Sequence, residues 1–115
     1  MSITIKTKKI NGYPILVVSG RIINIDSEKF QKKMESFCKK KMRKFIIDIS
    51  DVSFMDSYGL GTLVQHHTQI QKRGDEFIIL NTNTDPSTYI RRLFNMTGLN
   101  KIFALVNSID SLDAA

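Results

Sequence analysis

Few residues in this sequence could do chemistry unaided. They are the histidine pair His66-His67, the single cysteine Cys38, and Ser57, which follows Asp56. Neighbouring helical positions point about 100° apart, so the two imidazoles are poorly placed to share one metal ion. No HExxH or CxxC motif is present, and Ser57 lacks the GxSxG context of a hydrolase nucleophile. The sequence therefore predicts no enzyme active site, no metal site and no cofactor bound by this chain.

Cys38 and His67 have a simpler interpretation as interior residues. Cys38 follows Phe30, Met34 and Phe37 at helical spacing, so it belongs to one apolar stripe. We interpret it as a small core residue rather than a nucleophile. A single cysteine also excludes an internal disulfide. His67 lies on the apolar face of another helical pattern, which predicts a partly buried ring.

The stretch from Asp48 to Gly61 runs from a strand into the start of a helix, with Asp56-Ser57 at the helix N-terminus. Free backbone N–H groups and the positive end of the helix dipole meet there. A phosphate on Ser57 would carry a charge of about −1.5 to −2, which a helix N-terminus stabilises. Gly59 and Gly61 leave the first turn bare for a large partner. Alternatively, Asp56 or Ser57 only caps the helix, and the glycines serve packing.

The elements that position this stretch begin with a hairpin. Residues 3–9 and 13–19 flank Asn11-Gly12, and Asn-Gly between apolar runs predicts a tight turn between antiparallel strands. Gly20–Ile25 is predicted to be a loop. Asp26 is the predicted cap of the first helix, with acidic charge in its first turn.

Two short apolar runs, Phe45–Ile49 and Phe77–Leu80, predict buried strands. Apolar residues recur at helical spacing between them, and Gly74 ends that pattern. Strand, helix and strand in this order predict a βαβ unit with a right-handed crossover.

The rest of the chain predicts further α/β elements. Asp85-Pro86 marks the start of a third helix that ends at Gly98, with Asp as cap and Pro at the first position. Lys101–Val106 could form a last strand, and Ser108–Ala114 a short terminal helix. The predicted fold is therefore one α/β domain over residues 1–115, with a mixed sheet of four to five strands and about four helices packed on it.

Composition and charge set the remaining bounds. The 115 residues are 42% hydrophobic and 24% charged, as in ordinary globular domains. The net charge is +6, and residues 26–44 carry eight bases and three acids, or 8 − 3 = +5. This segment is a solvated helix face or a patch for nucleic acid, anionic lipid or an acidic partner. No apolar run approaches the roughly 20 residues of a membrane helix. The first residues lack a secretion signal, so we expect a cytoplasmic protein.

Two blocks of the sequence resemble one family. Residues 48–61 read Asp-Ile-Ser-Asp-Val-Ser-Phe-Met-Asp-Ser-Tyr-Gly-Leu-Gly, which resembles the D-L-S-x-V-x-F-M-D-S-[ST]-G-L-G signature of STAS-domain anti-sigma factor antagonists. Residues 89–99 resemble the family's helix that ends R-L-F-x-x-[ST]-G-L. The spacing of the blocks and the order of elements fit the family over essentially the whole chain.

The resemblance implies a partner-switching regulator without enzymatic activity. In such a system the unphosphorylated antagonist binds an anti-sigma factor that is also a serine kinase, which supplies ATP and Mg²⁺. The kinase phosphorylates the serine after the motif Asp, here Ser57, and the complex dissociates. A PP2C-type phosphatase restores the free hydroxyl. No nucleic acid is expected to bind directly. The partner-binding residues implied are Arg21, Ile23, Asn24, Met55, Asp56, Ser57, Tyr58, Gly59, Leu60 and Gly61.

Two departures from the family pattern keep a second interpretation open. Tyr58 stands where the family has Ser or Thr, and Gly20–Ile23 replaces an acidic G-E-L-D-like run, with Arg21 reversing one charge. The alternative is a STAS scaffold or subunit of a signalling or transport assembly that is never phosphorylated.

Overall fold

A computed structural model of the chain describes residues 3–113 as a five-stranded sheet with helices. The strands are β1 (Thr4–Ile10), β2 (Tyr13–Ile22), β3 (Lys44–Met55), β4 (Glu76–Leu80) and β5 (Ala104–Val106). The α-helices are α1 (Ile25–Cys38), α2 (Ser57–Lys72) and α3 (Tyr89–Thr97), and Leu99–Lys101 and Ile109–Asp113 are 3-10 helices. Residues 1–2 and 114–115, which the single-domain prediction includes, lie outside the described residues.

The predicted α/β class and strand number are confirmed, whereas the helix count of about four is wrong. The described residues form three α-helices, because the terminal segment folds into the 3-10 turn Ile109–Asp113. Ala114, the predicted end of that helix, lies outside the described residues. The last strand is also shorter than Lys101–Val106, since a 3-10 helix occupies Leu99–Lys101.

The strands lie side by side in chain order, and all neighbours are parallel except the antiparallel pair β1–β2. Right-handed crossovers that always advance in one direction place every connecting helix on the same face of the sheet. The hydrophobic clusters agree, because Phe30, Leu63 and Phe94 of the three helices share one cluster. The opposite face carries a smaller cluster, which Leu112 of the terminal 3-10 helix covers.

The hairpin and the βαβ unit form as predicted. Ile10 pairs with Tyr13 across the two-residue turn, where Asn11 and Gly12 have φ values of 53° and 84°. Positive φ at both positions is the type I′ geometry that matches strand twist. Gly74, at φ 81°, follows the end of α2.

The predicted loop Gly20–Ile25 is wrong, because β2 continues to Ile22. Gly20 pairs with Val52 after one register shift in the β2–β3 ladder, and Ile22 pairs with Met55 after a second. Strand β3 correspondingly runs well beyond Ile49. Backbone pairing to a neighbouring strand sustains both extensions through polar positions, so hydrophobic pattern alone misses them.

Two predicted helix starts are also wrong. Helix α1 begins after Asn24, and Asp26 lies in its first turn instead of capping it. Helix α3 begins after Thr88, whose hydroxyl oxygen accepts a hydrogen bond from the Arg91 N–H at 3.4 Å. Asp85 instead accepts the N–H of Ser87 at 2.9 Å and forms a local turn. The predicted stop at Gly98 is confirmed by its left-handed φ of 75°.

The interior residues behave as predicted. Cys38 is buried, and burial raises the pKa of its thiol to about 11, with Arg73 opposing the rise. His67 is also buried, which lowers its pKa, and it contacts the rings of Phe77 and Phe103 edge-on. The described residues contain no group of three or more His, Cys, Asp or Glu side chains that could hold a metal ion. None of the helices within residues 3–113 is long and apolar enough to span a membrane.

Candidate functional site

The candidate site lies where β2 and β3 end and α1 and α2 begin, and Asp56 joins these elements. Its Oδ1 accepts the Gly59 N–H at 2.9 Å and the Ser27 hydroxyl at 2.7 Å. Its Oδ2 accepts the Asn24 N–H at 3.1 Å, and its own N–H donates to the Ile22 carbonyl at 2.9 Å. Asp56 is therefore the N-cap of α2 and also ties the start of α1 to it.

The charge of Asp56 is stabilised by these contacts. Burial by itself would raise the pKa of the carboxyl. The hydrogen bonds from Gly59, Ser27 and the neighbouring backbone outweigh that effect and hold the pKa below its ordinary value of 3.8. An ionised carboxylate thus occupies the inner side of the α2 N-terminus, where the helix dipole favours it.

Ser57 is the first residue of α2, and its side chain is exposed. Asp56 performs the capping, which decides between the two capping candidates. The Ser57 hydroxyl makes no hydrogen bond to any residue that the structure describes. It is therefore a solvent-facing hydroxyl at a helix start that Asp56 already caps.

The two glycines of the motif differ in what surrounds them. A Cβ on Gly59 would lie 2.8 Å from Ile22 Cγ2 and 2.9 Å from Met55 Cγ, so the close approach of α2 to the strands requires glycine here. A Cβ on Gly61 would meet nothing within 4 Å. Packing therefore explains Gly59 but not Gly61, which leaves bare backbone on the exposed side of α2.

The remaining candidates divide between surface and interior. Arg21, Asn24 and Tyr58 are exposed, with Tyr58 retaining 53% of its accessible surface. Ile23 and Leu60 are half-buried. The Met55 side chain is 2% exposed, and Gly59 is buried against it and Ile22, so these two residues support the site from within.

Sequence reasoning missed a stack of side chains beside this site. The Arg21 guanidinium lies 5.3 Å from the centre of the Phe54 ring, and Phe54 stacks on Tyr89 at 4.6 Å. The Tyr89 hydroxyl donates to the carbonyl of Met55 at 3.3 Å. The stack holds Arg21 against the strand ends by a cation–π contact. Phe54 lies in the first block that resembles the family, residues 48–61, and Tyr89 lies in the second, residues 89–99. Their presence in these two blocks is the one signal in the sequence that could have linked them.

It also missed Ser27, which is 1% exposed and donates to Asp56. No spacing rule relates a serine in the first turn of one helix to the cap of another.

The backbone of Asn24 is also unusual, because its φ of 53° and ψ of −122° are angles that favour glycine. The hydrogen bond from its N–H to Asp56 helps to hold it there.

This geometry defines a class: an α/β domain with helices on one face and an exposed serine at a carboxylate-capped helix start. Comparison with known proteins identifies the family. Residues 4–112 match the STAS domain, and the chain belongs to this family.

Three relatives illustrate the similarity. The chain is 31% identical over 107 residues to an anti-sigma-B factor antagonist of Listeria monocytogenes, covering 93% of this chain and 90% of that protein. It is 25% identical over 118 residues to an anti-sigma F factor antagonist of Paenibacillus polymyxa, covering 98% and 97%. A crystal structure of an anti-sigma factor antagonist from Mycobacterium paratuberculosis superposes with a TM-score of 0.80 at 27% identity, covering 96% and 90%.

Proposed function

We propose that this protein is an anti-sigma factor antagonist that acts by partner switching, with Ser57 as the phosphorylated residue. The observation that carries the proposal is the Ser57 hydroxyl, which is exposed beside a cap that Asp56 already provides. The relatives named as antagonists support the class of function. The chain performs no chemistry of its own in this proposal. It presents an acceptor hydroxyl and a docking surface to a serine kinase that supplies ATP and Mg²⁺.

The position of Asp56 explains how a phosphate on Ser57 would act. The carboxylate already accepts the Gly59 N–H, so a phosphate would add a second anionic group at this helix end. Its charge of about −1.5 to −2 would therefore act electrostatically on the partner surface that faces the exposed side of α2. A dianion in a closely packed interface must lose its water and repels acidic neighbours, which weakens the complex.

The docking surface in this proposal is the exposed side of the candidate site. Besides Ser57, the exposed residues of the site are Arg21, Asn24, Tyr58 and Gly61, and the bare backbone at Gly61 lets a partner approach closely. Arg21 is basic where the family pattern is acidic, so we expect an acidic counterpart on the anti-sigma factor. A PP2C-type phosphatase would regenerate the free hydroxyl, and we expect this system to operate in the cytoplasm.

The test compares Ser57→Ala with Ser53→Ala, the same change at another exposed serine close by in sequence. Wild-type protein and both variants are incubated with native cell extract and ATP, and phosphopeptides are identified by mass spectrometry. Proteins captured with ADP are then challenged with ATP. We expect wild type and Ser53→Ala to be phosphorylated and to release a kinase-fold partner, and Ser57→Ala to retain it.

Phosphorylation elsewhere, or ATP-dependent release from Ser57→Ala, would refute the assignment of Ser57. A Ser57→Asp bait that holds the same partners as wild type would favour the scaffold interpretation instead. One carboxylate is a weaker charge than a phosphate, so the Ser57→Ala result takes precedence.

A further inference from the structure

Three of the eight bases of the basic segment, residues 26–44, lie on α1, and the other five follow the helix end. Lys29, Lys32 and Lys33 lie four, seven and eight residues after Ile25, which places them with it along one helical face. All four are exposed. Lys40, which follows the helix end, is also exposed, and its ammonium lies 5.5 Å from the centre of the Phe37 ring. We call Lys29, Lys32, Lys33 and Lys40 the lysine strip, with Ile25 at its start.

The strip is short of acidic partners. Lys29 reaches Asp26 at 3.8 Å, while Lys32, Lys33 and Lys40 make no ion pair with any residue that the structure describes. Glu35 lies elsewhere on α1, in a cavity that it lines with Gln65 and Gln69 of α2. Glu35 thus faces α2, whereas the exposed Glu28 lies four residues before Lys32 on the same face and offsets part of the charge of the strip, which stays net positive.

The composition of the strip distinguishes among anionic partners. Protein interfaces are depleted in Lys and enriched in Arg and aromatic residues, and the strip contains neither of the latter. Sequence-reading or single-strand nucleic acid sites need Arg forks or stacking rings, which it also lacks. Lysines act as point charges and suit a fluid layer of phosphate groups that can adjust laterally. Ile25, which is 65% exposed, adds an aliphatic group at one end.

We propose that the lysine strip, with Ile25, binds the surface of an anionic lipid bilayer. The lysine stems lie along the membrane surface with their ammonium groups at the headgroup phosphates, while Ile25 enters the interfacial layer. Binding is reversible and electrostatic, so it weakens as salt shortens the Debye length to about 8 Å at physiological ionic strength. This proposal involves residues other than Ser57 and does not depend on phosphorylation.

The test is co-sedimentation with vesicles of phosphatidylcholine and phosphatidylglycerol in equal parts, and with phosphatidylcholine alone. We compare wild type with Lys32→Glu/Lys33→Glu. The control is Arg92→Glu/Lys101→Glu, which changes net charge equally at exposed positions on α3 and the following 3-10 helix. Ile25→Ser is matched by Ile102→Ser, since Ile102 is also exposed, at 52%. Circular dichroism confirms that each variant is folded.

We expect the wild type to sediment only with anionic vesicles. Each lysine near the surface is worth about a fivefold change in affinity, so the double strip variant should bind at least about 25-fold more weakly. The charge-matched control should retain most of the binding, and Ile25→Ser should lose more than Ile102→Ser.

No sedimentation with anionic vesicles at low salt would overturn the proposal. Equal losses in the strip variant and its control would also overturn it, because net charge alone would then explain the binding. Retention on duplex DNA without vesicle binding would assign the strip to nucleic acid instead.

Discussion

The inner and outer sides of the α2 N-terminus are built from interleaved residues of one short segment, but the two sets of residues make different contacts in the fold. On the inner side, Asp56 accepts three hydrogen bonds, and Gly59 lies where a Cβ would meet Ile22 and Met55. On the outer side, the Ser57 hydroxyl and the Gly61 backbone are exposed and unencumbered. Because the inner residues make the contacts that hold the helix start, the outer residues are available for contact with a partner. The comparison predicts stability losses on one side and binding losses on the other.

The largest loss of stability should follow Asp56→Ala. The variant removes the cap of α2 and leaves the buried Ser27 hydroxyl without its acceptor. Loss of a cap costs about 0.5–2 kcal/mol and an unpaired buried hydroxyl about 1–3 kcal/mol, so we expect about 2–4 kcal/mol in total. Urea denaturation measures it, and Asp85→Ala is the control, since Asp85 forms only a local exposed turn.

Asp56→Asn tests the charge in particular. The folded pKa of Asp56 lies below its ordinary value of 3.8, so its ionisation adds stability above that pH, which is lost as pH falls through the folded pKa. The wild type should exceed the variant in stability at neutral pH, and the difference should shrink on acidification below 3.8. A difference that does not change with pH would show that hydrogen-bond geometry, not charge, accounts for it.

The glycine pair gives the sharpest form of the comparison. Gly59→Ala forces Cβ contacts of 2.8 and 2.9 Å on Ile22 and Met55, and such overpacking costs about 1–3 kcal/mol. Gly61→Ala meets open space in a helix interior and should gain up to about 1 kcal/mol. Thermal or urea denaturation distinguishes the two. Under the proposed function, Gly61→Ala should weaken partner binding despite its greater stability.

Sequence patterns predicted the residues of this site but not which of them support the fold and which are exposed. Hydrophobic periodicity located α2, and Asp-Ser before Gly marked its start. Whether Asp56 or Ser57 caps the helix, and whether Gly59 or Gly61 is packed, depends on Ile22, Asn24 and Ser27, which are remote in sequence. The wrong loop at Gly20–Ile25 has the same origin, because pairing with β3 keeps β2 extended.

The predicted helix starts at Asp26 and Asp85-Pro86 are wrong for a local reason. Asp and Asn stabilise turns as readily as caps, since their side chains hydrogen-bond backbone two residues ahead. The Asp85 side chain accepts a hydrogen bond from the Ser87 N–H, and helix α3 begins only after its cap Thr88. At α1 the capping position is Asn24, a residue type common at helix starts, but its side chain makes no cap hydrogen bond and its backbone angles differ from those of an ordinary cap.

A smaller effect is expected at Asn24. Its backbone angles favour glycine, so Asn24→Gly should relieve strain and raise the free energy of unfolding by about 0.5–1 kcal/mol. The matched control is Asn11→Gly, because Asn11 has the same φ of 53° in a type I′ turn that suits asparagine. No gain at Asn24, or an equal gain at Asn11, would show that the angles of Asn24 carry no strain.

The smallest effect on stability belongs to the residue with the largest proposed role. Ser57→Ala removes no capping bond and no hydrogen bond to a described residue, so the free energy of unfolding should change by less than about 0.5 kcal/mol. Urea denaturation of Ser57→Ala beside Asp56→Ala checks this. A loss at Ser57 close to that at Asp56 would mean that the hydroxyl supports the fold. A neutral result would mean that any effect of Ser57→Ala on partner release arises at the interface, because the helix start that presents it is unchanged.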